Sequence, residues 1–138
     1  MSTYLDAAGA VKEWINSVTG LAGAGGALGI GAVLKNREGA ATVPYVFLVE
    51  LPASLWGGAE HPSMRARLSH QIYGPTRESA AAGATALAEA LTILSQGSRV
   101  TLPTAGVTLA GADTVDGPQW FPDGEEPRYV LDADYLFL

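Results

Sequence analysis

A chain of 138 residues is long enough to bury one core and too short for two of comfortable size. Fourteen acidic against eight basic residues give a net charge of −6, which argues against a nucleic-acid-binding surface because phosphate contacts need clustered Lys and Arg. With no cysteine there is no disulfide framework, thiolate metal site or thiol nucleophile, while an apolar content of 48% supplies material for a core.

No run reaches the roughly 18 apolar residues of a membrane span, and Ser2 to Asp6 lacks the basic and apolar regions of a secretory leader. The expectation is a soluble chain without membrane contact.

In chain order, Tyr4, Ala8, Val11, Ile15 and Val18 recur every three or four residues, which predicts an amphipathic helix. Asp6, Gly9, Glu13 and Asn16 are on its polar side, Thr3 and Asp6 resemble a capping box, and Gly20 is a natural stop. Gly20 to Gly31 is rich in Gly and Ala but lacks the Gly-Lys-Ser/Thr end of a phosphate loop. A dinucleotide fingerprint would follow a strand and open a helix, the reverse of the order here, so the segment reads as a flexible loop.

Ile30 to Lys35 reads as a short strand. Tyr45 to Leu51 is β-branched and aromatic, apolar on both faces, and predicts a strand covered on both sides. Pro52 to Ser63 is a loop carrying Trp56 and His61. Arg65 to Gly74 alternates, with Ala66, Leu68, His70 and Ile72 inward and Arg65, Arg67, Ser69, Gln71 and Tyr73 outward.

Thr76 caps a second helix whose buried stripe is Ala80, Ala84, Leu87, Leu91 and Leu94, with Gly97 as its stop. Gly106 to Ala112 predicts a strand, Asp116 to Pro127 a turn-rich loop, and Arg128 to Leu138 a final strand with Leu131, Ala133, Tyr135 and Phe137 on one side. Its apolar end should be tied down. The fold class is α+β: a mainly antiparallel sheet of four to five strands with two helices packed on one face, in a single domain.

Catalytic chemistry finds little purchase. There is no G-x-S-x-G elbow and neither His61 nor His70 has an evident partner; His70, on an inward strand position, reads as a hydrogen-bonded core or interface residue. Asp132 and Asp134 share a strand face about 7 Å apart, which suits a solvated acidic surface, the carboxylate pair of a small glycoside hydrolase or a hard cation. Asp113 and Asp116 are candidates to join them. No calcium-loop pattern accompanies them, so no metal or cofactor is expected. Among the loop aromatics, Trp56 reads as an interface anchor, and Trp120 and Phe121 either as interface residues or as caps on the chain's own core.

From Arg65 onward a family resemblance emerges. Arg65-x-Arg67-Leu68-x-x-Gln71-x-Tyr73-Gly74, an Ala-rich helix ending Ala90-Leu91-x-x-Leu94, Gly117-Pro118-Gln119-Trp120-Phe121-Pro122-Asp123 and Arg128-Tyr129-Val130-Leu131 resemble tail terminator proteins of long-tailed, non-contractile (siphovirus-type) phages of actinobacteria. Pro44-Tyr45-Val46 extends the similarity toward the start.

The resemblance implies a virion protein of the tail-neck region, made in the bacterial cytoplasm. It would form a homohexameric ring that caps the tail tube, ends tube polymerisation and joins the tail to the head connector. Its partners would be further copies of itself, the major tail tube protein and a head-tail connector or stopper, with DNA passing through and no sequence-specific binding. Interface candidates are then Trp56, Trp120, Phe121, Arg128 and Tyr129. Channel-lining acids would be Asp123, Glu125, Glu126, Asp132 and Asp134, since an acidic lumen does not arrest the phosphate backbone. A head-completion or neck protein, and a small monomeric ligand-binding domain closed by the Trp56 or Trp120 loop, are the alternatives.

Overall fold

A computed structural model describes residues 6–23, 25–35, 42–51, 64–122 and 127–138. Helix α1 spans Ala7–Ser17 and is capped by Asp6, whose side chain accepts from the Gly9 amide at 2.9 Å. Thr3, the other member of the expected capping box, and Tyr4 lie outside the described residues. Its buried stripe is Ala7, Ala10, Val11, Trp14 and Ile15. That stripe is rotated from the predicted one: Ala8 and Val18 are only half-buried, and Trp14 takes the centre, edge-on to Tyr135 with ring centroids 6.1 Å apart.

The glycine-rich segment that composition reads as a flexible loop is pinned at two points. Leu21 and Leu28 are buried in the core, and the Leu28 amide donates to the Leu21 carbonyl at 2.7 Å. Strand β1 (Gly31–Val33) then runs parallel to β2 (Tyr45–Leu51). β2 pairs antiparallel with β3 (Met64–Tyr73), burying Val46 and Leu48 beside Ile72 and His70.

Helix α2 (Arg77–Ser95) starts at a capping box in which Thr76 and Ser79 satisfy each other's backbone amides. Ala80, Ala84, Leu87, Leu91 and Leu94 are buried as their spacing requires, together with Gly83. Gly83 tolerates no side chain easily, because a Cβ there would stand 2.8 Å from Leu28 and 3.2 Å from Ile72.

The second half departs from expectation at two places. A three-residue strand, β4 (Val100–Leu102), follows α2, and β5 runs from Val107 to Phe121, where a turn-rich loop was expected from Asp116 on. β5 pairs along its length with β6 (Arg128–Phe137), and irregularities near Ala110, Val115 and Gly117-Pro118 absorb its extra residues. Pro and Gly at these points signal a turn in sequence but are tolerated on a bulged strand without a second neighbour. The C-terminus is tied down: Leu138 exchanges both backbone hydrogen bonds with Thr108, at 2.9 and 3.2 Å, although its side chain stays partly exposed.

The sheet has six strands in the order β1-β2-β3-β6-β5-β4, mixed but mostly antiparallel, one more than the widest expectation. Flat, it would be about 24 Å from edge to edge, more than twice the width of a helix. Yet α1 touches β1 and β2 at one edge and β4 at the other. The sheet therefore curls into a half-barrel around its helices.

Two polar side chains of α1 bind both rims. The Glu13 carboxylate accepts from the Thr104 and Ala105 amides at 3.1 and 2.8 Å, beside β4. Asn16 Oδ1 accepts from the Ala32 amide at 2.9 Å on β1. Gly31 is required there, since it has φ +83° and a Cβ would run into the same Asn16 oxygen.

Candidate interaction surface

Neither helix reaches the outer face of the half-barrel, which collects the outward residues of four strands. β2 contributes Phe47, Val49 and Leu51, all half-buried. Tyr45, at the start of β2, stacks on Tyr73 with centroids 5.3 Å apart and is buried. This apolar strip is what a strand hydrophobic on both sides predicts.

Beyond it the face turns acidic. In register across β3, β6 and β5 stand Arg67, Asp134 and Asp113, and in the next row Ser69, Asp132 and Asp116. Asp113 and Asp116 thus do join the two β6 aspartates, giving four carboxylates in two adjacent rows. One of them is neutralised: Arg67 Nε and Nη2 donate to the two oxygens of Asp134 at 2.7 and 3.1 Å. Asp132 Oδ1 is buried without a hydrogen-bond partner.

Asp134 itself does not suit the role of general acid. The Arg67 hydrogen bonds hold the Asp134 carboxyl below its ordinary pKa against the opposing effect of burial, whereas a general acid at neutral pH needs a raised one. Among the described residues, no three His, Asp or Glu side chains converge on a point where they could hold a metal ion.

Trp120, Phe121, Arg128 and Tyr129 form two cross-strand pairs near one end of β5 and β6, on opposite faces of the sheet. Trp120 is opposite Tyr129, with rings 4.9 Å apart, and the Arg77 guanidinium from α2 stands 5.1 Å from the centre of the Trp120 ring. Phe121 is opposite Arg128, whose guanidinium lies 5.9 Å from its ring centre. Both aromatics are half-buried strand residues and not loop residues as expected. The part of Arg77 had no sequence signal, because it depends on where α2 begins relative to β5. Trp56, His61, Asp123, Glu125 and Glu126 lie outside the described residues.

His70 is wholly buried on the inner face. Its Nδ1 is 2.8 Å from the Leu131 carbonyl and its Nε2 2.5 Å from the Tyr135 hydroxyl. Burial pushes the imidazole down to about 4, outweighing the bond to the carbonyl. The neutral ring donates from Nδ1 to Leu131 and accepts from Tyr135, a satisfied core histidine with no access to substrate.

Two hollows flank α1. One, of about 290 Å³, lies between its C-terminal end and α2, lined by Trp14, Val18, Leu21, Ala90, Ile93 and Val100 among others. The second lies over the polar side of α1, between Lys12, Glu13, Asn16, Leu34 and Thr104. Compared with known proteins, the chain matches no family model, no curated protein and no solved structure.

Proposed function

We propose that this chain is a ring-forming structural subunit of a phage tail, one that caps the tail tube, ends its polymerisation and joins it to the head connector. The observation that carries this reading is the outer sheet face, which the chain's own helices leave open. It is half apolar, at Phe47, Val49 and Leu51, and half acidic, at Asp113, Asp116, Asp132 and Asp134. A neighbouring subunit covers the apolar half, and the acidic half faces passing DNA without holding it.

The motifs between Arg65 and Leu138 support the same reading by resemblance: apart from the Ala-rich helix α2, they fall mostly on β3, β5 and β6, three of the strands that build this face. Of the two aromatic pairs at the end of β5 and β6, Phe121 with Arg128 is on this outer face, an aromatic and cationic contact for a partner.

The test is genetic and morphological. In a phage lacking only this gene, electron microscopy should show tails of unregulated length and filled heads without tails, both corrected when the gene is supplied in trans. Tails of normal length joined to heads would sink the proposal.

A further inference from the structure

The hollow between α1 and α2 has properties that select an occupant. Its floor is aliphatic and aromatic, and Ile93 at its lip is the most exposed large apolar side chain among the described residues, at 60%. Its volume of about 290 Å³ is at the lower limit for a small-molecule pocket and suits one or two inserted side chains.

Its mouth is electronegative for two reasons. Glu89, one helical turn before Ile93, lines it and makes no ion pair among the described residues. The C-terminal ends of both helices are near it, and neither has a basic residue in its last turn, so their negative dipole ends are uncompensated from within. Arg99 is exposed nearby in sequence but does not line the hollow.

An apolar side chain followed directly by a cation complements such a site, and this chain displays one. At the end of β1, Leu34 is 42% exposed and Lys35 is exposed, with no ion pair among the described residues. Within one copy this corner cannot reach the hollow. Leu34 belongs with the Gly9, Lys12 and Asn16 side of α1, about 170° around the helix from Trp14 and Val18 at 100° per residue.

We infer that the hollow between α1 and α2 receives the Leu34-Lys35 corner of a second copy of this chain, with Leu34 against Ile93 and Trp14 and Lys35 beside Glu89. A contact between two different patches is head-to-tail, and repetition of it closes a ring or extends a filament. The inference deepens the ring reading and rests on it for closure of the contact into a ring.

Because the chain has no cysteine, disulfide trapping gives a clean test. Leu34→Cys and Ile93→Cys chains, one bearing a mass tag, are checked for folding by circular dichroism, then oxidised alone and mixed. The mixture should form mixed dimers at least about tenfold faster than either variant forms its own, because the complex supplies a high effective concentration of the paired thiol. Adding Glu89→Lys to the Ile93→Cys chain should slow trapping, and Lys35→Glu on the Leu34→Cys chain should restore it.

Mixed dimers forming no faster than the variants' own dimers overturn the contact and leave the hollow to a different protein. Failure of the charge exchange to restore trapping overturns the pairing of Lys35 with Glu89. If trapping fails while gene loss still unregulates tail length, the contact is wrong and the ring reading stands. If trapping succeeds while tails remain normal, the self-contact stands and the tail reading falls.

Discussion

The Tyr135 hydroxyl donates to Nε2 of His70 at 2.5 Å, which joins β6 to β3 through a polar bond inside an otherwise apolar core. Both residues are fully buried, and burial also pushes the Tyr135 hydroxyl well above its ordinary pKa. The pair therefore stays neutral, tyrosine as donor and imidazole as acceptor. Leu48 on β2 is opposite His70, and on the far side of Tyr135 stands the Trp14 ring. Among the described residues, Tyr135 is the only titratable side chain hydrogen-bonded to His70.

Stability should consequently depend on pH in a definite window. An unfolded His70 takes up its proton near pH 6.5, but the folded one only near about 4. Stability is complete above the first value and declines as pH falls toward the second, because the unfolded state binds the proton first. Urea melts at about pH 4.5 should show a loss of roughly 2–3 kcal/mol relative to neutral pH. His70→Gln should flatten that slope. An unchanged slope in the variant would mean that carboxylates, not His70, set it.

Tyr135→Phe leaves the imidazole acceptor buried without a donor. The cost should be about 1–3 kcal/mol, the penalty of an unsatisfied polar group. Adding His70→Leu should cost much less than it does in the native background, since the polar atom left over is then removed. A double-mutant cycle by chemical denaturation reads this coupling, and strict additivity would refute it.

On the outer face, Arg67 holds Asp134 ionised through two hydrogen bonds. Replacing Arg67 with Gln should raise the Asp134 pKa toward its ordinary value, followed through its carboxyl carbon by NMR titration. An unmoved titration would show that Arg65, the weaker positive influence on this carboxyl, is the effective partner.

How much of this could be read beforehand depended on whether the determining contacts were local. The stripe of α2 needs only the helical period, so Ala80, Leu87 and Leu94 were legible, as were the alternating faces of β3 and β6. The extent of β5 was not, because Gly117 and Pro118 are turn residues unless a partner strand and bulges accommodate them. β4 has three residues and no periodicity to detect. Parallel pairing of β1 with β2 leaves no local mark. The outer-face acids were visible as residues, but their grouping came from the register of β5 on β6.

Least legible of all were Glu13 and Asn16, which in sequence are only the polar side of an amphipathic helix. Their partners are 91 or 92 and 16 residues away along the chain. Since they join opposite rims of the half-barrel, each should protect a specific backbone amide. Glu13→Ala removes a charged acceptor from the Thr104 and Ala105 amides and should cost about 1–3 kcal/mol, with faster hydrogen exchange at Ala105. Asn16→Ala should accelerate exchange at Ala32 and leave Ala105 unchanged. Gly31→Ala should resemble Asn16→Ala and exceed it in cost, because the added methyl group displaces the Asn16 oxygen and also strains a positive φ. Should Glu13→Ala leave exchange at Ala105 slow, α1 would be held by its apolar stripe alone and would not join the rims.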